Sequence, residues 1–210
     1  MVGKGVLLEC LESDAVESVL VINRTSLQMQ HPKLKEIIHQ NFLDLSSIKD
    51  KFKGFNACFH CMGVSSIGMN EEEYTKFTYD LTSEFVNVLY AQNPDLVFNY
   101  ISGAGTDSSE KGSSMWARVK GRTENLVLSK GFEDAYAFRP GAIIPEKGVK
   151  SKVAWINTLL IIMRPFFSII RRMNSVTSTS KIGLAMINSI SESCAIKILE
   201  AQDINRLAEN

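Results

Sequence analysis

Met1-Val2-Gly3-Lys4-Gly5-Val6-Leu7-Leu8-Glu9-Cys10-Leu11 and, shortly after it, Ser18-Val19-Leu20-Val21-Ile22-Asn23-Arg24 set the frame for the rest of the chain. Small residues open an amphipathic helix in the first stretch. The second is an apolar strand that ends on a basic turn. Helix then strand, with glycines at the helix start, is the second half of a βαβ unit. The strand that opens such a unit, and the earlier glycines of its loop, belong upstream of this helix. Met1 is therefore read as an internal methionine of a longer frame, with Gly3 the last glycine of the loop.

Downstream the chain alternates strand and helix, which argues for a parallel sheet. Apolar strands are expected at residues 19–22, 39–42, 57–62, 96–102 and 135–138. Near-continuous apolar strands suit a sheet covered on both faces. Residues 70–93 carry Tyr74, Phe77, Leu81, Phe85, Val88 and Leu89 at helical spacing, and residues 114–129 carry Val119, Leu126 and Leu128. The tail, 181–199, reads as one last amphipathic helix. The fold class that follows is α/β: a doubly wound, mainly parallel Rossmann-type sheet with helices on both faces, lacking its first strand. A seam is expected where that strand belongs.

The 210 residues are 45% hydrophobic and 22% charged, with Lys+Arg and Asp+Glu both at 23. That composition fits one domain, 1–210, with a substantial core. Balanced charge supplies no electrostatic reason to bind nucleic acid. Cys58-Phe59-His60-Cys61 has C-x-x-C spacing, but inside a strand the alternation turns the two sulfurs to opposite faces. They read as buried thiols, not a zinc or redox pair. His31, His39 and His60 have no metal spacing, so no metal site is expected. No secretory signal is visible, and cytoplasmic location is the default. Residues 149–180 are expected to form an apolar cap on the substrate side. Within it, 153–170 is strongly apolar but broken by Arg164-Pro165 and followed by Arg171-Arg172. Its clean stretch falls short of the about 20 residues that a bilayer of about 30 Å requires. Buried capping helices are one reading of 153–172. A segment anchored on a membrane surface, with a peripheral location, is the second, and a membrane-spanning helix the third.

Chemistry-bearing residues cluster at predicted strand ends. Glycines at a helix N-terminus let backbone N–H groups reach a pyrophosphate, and Gly3 also permits close packing there. Arg24, after a strand, suits a ribose 2′-phosphate, which a guanidinium grips bidentately. No acidic residue lies in the turn 23–26 to hold free ribose hydroxyls. Gly63 closes a strand and would let backbone approach a ribose. Each also has a plain structural reading: Arg24 as a solvated turn residue, Asp44 as a turn former, Gly63 as a steric necessity.

Taken together, Gly3, Asn23-Arg24-Thr25, Asp44, Met62-Gly63, Ile101-Ser102-Gly103-Ala104, Val119-Lys120-Gly121 and Phe138-Arg139-Pro140-Gly141 resemble an atypical short-chain dehydrogenase/reductase of the extended Rossmann type. Within that group the chain is most similar to the Tat-interacting-protein-like oxidoreductases. The resemblance implies a nicotinamide dinucleotide cofactor, NADP before NAD. It places Asp44 and Leu45 beside the adenine and Gly3, Arg24, Gly63, Lys120 and Pro140 along the cofactor. It implies catalytic roles for Ser102, which orients a carbonyl, and for Lys120, which anchors the nicotinamide ribose. The pattern's proton donor is a tyrosine four residues before the lysine; here that position is Trp116. An indole N–H donates hydrogen bonds but does not titrate near neutrality.

Three functional readings follow. The first is an NADP-binding oxidoreductase-like protein with weakened or altered carbonyl-reductase chemistry on a small-molecule substrate. The second is a non-catalytic nucleotide-binding protein that serves regulation or interaction. The third is an inactive, N-terminally truncated chain. Neither the substrate nor the oligomeric state is legible.

Overall fold

The computed structural model describes residues 1–149 and 173–209. Helix α1 (Val2–Glu12) leads into β1 (Val19–Asn23) and β2 (Leu34–Ile38). A 3-10 turn (Lys49–Phe52) precedes β3 (Ala57–His60). Helices α2 (Glu71–Thr75) and α3 (Leu81–Gln92) are joined by a π turn (Lys76–Asp80). Then come β4 (Val97–Ile101), α4 (Met115–Ser129), β5 (Asp134–Arg139), β6 (Ala142–Ile144) and β7 (Val176–Ser178). Helix α5 (Thr179–Ser191), β8 (Ile198–Glu200) and α6 (Ala201–Leu207) complete the described chain.

Every ladder among the described residues is parallel. The strands pair as β1-β2, as β3-β4-β5-β8 and as β6-β7. Strand β4 is buried from end to end, and its alternation divides the core. Val97 and Ile101 pack on one face with Val6, Cys10, Ile182, Met186 and Ile204, from α1, α5 and α6. Phe98 and Tyr100 pack on the other with Phe85, Val86, Leu89 and Val127, from α3 and α4. This is the three-layer α/β arrangement expected. Cys58 and Cys61 fall on opposite faces, each against a different cluster, and all four cysteines are free. Burial pushes the thiols of Cys10 and Cys61 up to about 12.

No ladder joins β1 to β3. Among the described residues the edge of β1 away from β2 and that of β3 away from β4 carry none, while α1 packs against both strands. The expected seam therefore lies between them. Its walls are half-buried except at His60, in contrast to β4, which is buried throughout.

Two strand expectations need correction. The strand placed at 39–42 is β2, several residues earlier, because its edge position tolerates the charged Lys35 and Glu36 that interrupt the apolar run. The tail is not a single helix: α5 stops at Ser191 and the chain returns as β8, parallel to β5. Strands of three residues such as β6, β7 and β8 are too short to display a period. Most of the apolar cap at 149–180, including the membrane-facing alternative at 153–172, lies outside the described residues. The described end of that stretch supplies β7 and the start of α5. No described helix is long and apolar enough to cross a membrane.

Gly3 and Gly5 both permit close packing of α1, and Gly5 is the tighter of the two. A Cβ on Gly5 would lie 2.5 Å from the Cβ of Thr179, at the start of α5. Thr179 is fully buried and its hydroxyl accepts the Glu146 backbone N–H at 3.0 Å, so it has little room to yield. Gly5→Ala is expected to cost about 1–3 kcal/mol by overpacking. Its urea midpoint should fall with the slope unchanged; an unchanged midpoint would mean that α1 and α5 can part freely.

Candidate functional site

In a parallel sheet the strands end on one side, so residues that follow β3, β4 and β5 converge. They do so here around a cavity of about 310 Å³, lined by Met1 and Val2 of α1, Met62 and Gly63 after β3, Ser102 after β4, Lys120 on α4, and Pro140 after β5. The α1 end faces it with no side-chain cap on its first-turn N–H groups. Gly63 has open space where a Cβ would stand.

Ser102 is buried and its hydroxyl is committed. Thr106 Oγ1 donates to the Gly103 carbonyl at 2.7 Å, which uses its only proton. The 2.9 Å bond between the hydroxyls of Ser102 and Thr106 therefore has Ser102 as donor. Ser102 Oγ thus offers lone pairs, not a proton, to the cavity.

Lys120 Nζ donates to the Ser102 backbone carbonyl at 3.3 Å and stands 5.6 Å from the centre of the Tyr100 ring. Burial pulls its pKa down to about 8, opposed by the Glu124 carboxylate one turn on. That carboxylate is already engaged. Arg139 Nε and Nη2 donate to Glu124 Oε1 and Oε2 at 2.9 and 2.6 Å, and Glu124 has no exposed side-chain surface. Behind Tyr100, His60 is buried among aromatic rings and lies 3.2 Å from Thr82 Oγ1, whose own proton goes to the Thr78 carbonyl. His60 Nε2 therefore carries the proton and donates. Burial pushes its pKa down to about 4, so it is neutral. The π turn of 76–80 contains Thr78, whose carbonyl accepts the Thr82 proton.

Trp116 lies one turn before Lys120, on the same face of α4. It does not line the cavity. Its indole rests on the loop after β4, where a Cβ on Gly105 would meet Trp116 Cη2 at 3.5 Å.

At the far end of the seam the residues assemble differently. Arg24 is exposed at the end of β1. The turn beyond it does hold an acid, which comes from β2. Glu36 accepts from Asn23 Nδ2 at 3.0 Å, Ser26 Oγ at 2.8 Å and the Leu27 N–H at 2.9 Å. These bonds, led by that from Asn23, hold its carboxyl below the usual range. No local window of sequence contains this contact, since parallel pairing of β1 with β2 creates it. Asp44 closes a tight turn by accepting the Ser46 N–H at 3.0 Å. Leu45 is wholly buried and its N–H donates to Glu84 Oε1 at 2.9 Å. Gly3 abuts β3's end, where a Cβ would come 3.2 Å from that of Cys61. Among the described residues no group of three or more His, Cys, Asp or Glu side chains could hold a metal.

No family model and no curated protein matches the chain. Solved structures do. The chain is similar to Pal from Bacillus thuringiensis, with a TM-score of 0.68 and 15% identity over 100% of this chain and 78% of that one. It is similar to WbmF of Bordetella bronchiseptica, solved in complex with NAD+, with a TM-score of 0.66 and 11% identity over 99% of this chain and 74% of that one. It is also similar to a UDP-N-acetylglucosamine 4-epimerase from Bacillus cereus, with a TM-score of 0.64 and 12% identity over 98% and 79%. At such identities the likeness is one of fold, and it confirms the Rossmann-type α/β class.

Proposed function

We propose that this chain binds a nicotinamide dinucleotide across the carboxyl ends of its strands and is at best a weak carbonyl reductase. The observation that carries this is the convergence of the α1 N-terminus, Gly63, Ser102 and Lys120 on one cavity. The residues fit such a ligand. Uncapped N–H groups and the helix dipole favour a pyrophosphate, Gly63 leaves room for a ribose, and Lys120 can hold its hydroxyls. That the similarly folded WbmF was solved with NAD+ supports the reading. The dinucleotide would supply or take a hydride; the chain must orient the carbonyl and handle the proton. Ser102 lacks a free proton and Trp116 cannot titrate, so the proton step is poorly served. That deficit favours, as the second reading, a protein that binds the nucleotide and reports it to a partner.

Arg24 and Glu36 oppose each other at the adenosine ribose. The exposed guanidinium can meet a 2′-phosphate, whereas the carboxylate's charge is spread over three donors beneath the turn. NADPH should therefore bind about tenfold tighter than NADH, which is the lower end of the worth of a charge-assisted contact. Arg24→Ala should level the two, and Glu36→Gln should favour NADPH further. Titration of both dinucleotides by fluorescence against the three proteins reads this. Equal affinities in the wild type would remove the NADP assignment; binding of neither would remove the proposal.

A further inference from the structure

The cavity holds an amine in an unusual state for a lysine. Lys120 Nζ reaches a hollow whose nearby walls include Val2, Ile101 and Ile143, and its only hydrogen bond among the described residues goes to a backbone carbonyl. No described ion pair includes it. The charged or titratable groups that face it come from three elements. His60 of β3, Cys61 just after it and Tyr100 of β4 are kept neutral by burial. Among the described residues Glu124, on its own helix, is the anion that acts on it, and Arg139 grips both of its oxygens.

We propose that Lys120 is a nucleophilic amine that captures small aldehydes in this cavity as a Schiff base. The Nζ lone pair attacks the aldehyde carbon. A C–N bond forms, the carbonyl π pair moves to oxygen, and a proton passes from nitrogen to that oxygen to give a carbinolamine. Loss of the hydroxyl with the second nitrogen proton releases one water and leaves the C=N bond. No oxidant or reductant is consumed. Apolar walls suit the aldehyde's alkyl chain, and Ser102 Oγ presents lone pairs that can take up the nitrogen protons in passing. With Lys120 at about 8, roughly a quarter of the amine is unprotonated near pH 7.5, against roughly one in a thousand for an ordinary lysine. The lower basicity and partial burial of the amine offset part of that gain.

The inference does not rest on dinucleotide binding. Its test is to treat the folded chain with propanal and sodium cyanoborohydride near pH 7.5 and to follow N-propyl lysine peptide by peptide. Lys120 should be labelled at least about tenfold faster than the solvated Lys35 and Lys53, a conservative share of its advantage in free amine. In urea that selectivity should vanish. Labelling of Lys120 no faster than Lys35 and Lys53 in the folded chain would overturn the proposal. Selectivity that persists in urea would also overturn it, because the cavity would not be its source. Lys120→Arg should lose the preferred adduct, and because wild-type peptides are compared with one another the result stands even if that variant folds poorly. Protection by NADPH would support the dinucleotide reading as well. Fast labelling without protection would count against that reading alone.

Discussion

Arg139→Met is expected to cost about 3–5 kcal/mol of stability, the range for breaking a buried ion pair by removing one partner. At roughly 2–4 °C per kcal/mol for a chain of this size, the midpoint should fall by about 10 °C. The cause lies in Glu124. Its side chain has 0% exposure while that of Arg139 has 12%. Arg139 donates twice to it, and to Ser108 Oγ at 2.6 Å. Without the guanidinium, Ser108 Oγ at 3.4 Å is the one donor left to this carboxylate among the described residues. The buried carboxylate would then be left without its counter-charge, which is the source of the loss. Arg139→Met with Glu124→Gln should recover much of it, since removing both charges spares the desolvation cost. A loss under about 1 kcal/mol, or a double variant no better than the single one, would show that the pair contributes little. There is also a consequence at the cavity. In the single variant Glu124 is free to act on Lys120 and raise its pKa, so propanal labelling should slow.

How much of this was legible without coordinates depended on the range of the contact. The parallel direction of the sheet follows from strand-helix alternation, and Ser102 and Lys120 meet because one follows β4 and the other sits one turn inside α4. A local window contains both facts. The Arg139-Pro140-Gly141 motif was visible, but its meaning was not: Arg139 lies 15 residues from Glu124 and reaches it across α4 and β5. Glu36 is the sharper example. The turn 23–26 contains no acid, and a search for one stops there. The acid arrives from the next strand, 13 residues after Asn23, by lateral pairing. The commitment of Ser102 to Thr106 is four residues long, yet it needs a count of protons through Gly103 that no motif encodes. Leu45 was legible only as an apolar position: that its side chain is fully buried and its N–H donates to Glu84, 39 residues on, is a contact no motif encodes.

Trp116→Tyr is expected to raise carbonyl-dependent NADPH oxidation by about 10²-fold, the lower end of what a positioned general acid contributes. Two features of the site set that expectation. Ser102 has its proton directed to Thr106, and the neutral, buried His60 directs its own to Thr82, so neither faces the cavity as a donor. A phenol at position 116, one helical turn from Lys120, would be the titrating donor the site lacks, provided that the smaller ring leaves the Gly105 loop and turns towards the cavity. A protonated Lys120 near it would stabilise the phenolate and lower the phenol pKa. Because Lys120 itself loses its charge near pH 8, the gain should be greatest below that value and decline above it. Trp116→Phe is the control, since it removes the same indole from Gly105 without adding a hydroxyl. If Phe accelerated the reaction as much as Tyr, relief of the indole's bulk would be the cause and the proton argument would fail. Rapid turnover by the wild type, unchanged in the Tyr variant, would mean that a proton reaches the carbonyl by another path, and Ser102 would have to exchange its bond to Thr106 to supply it.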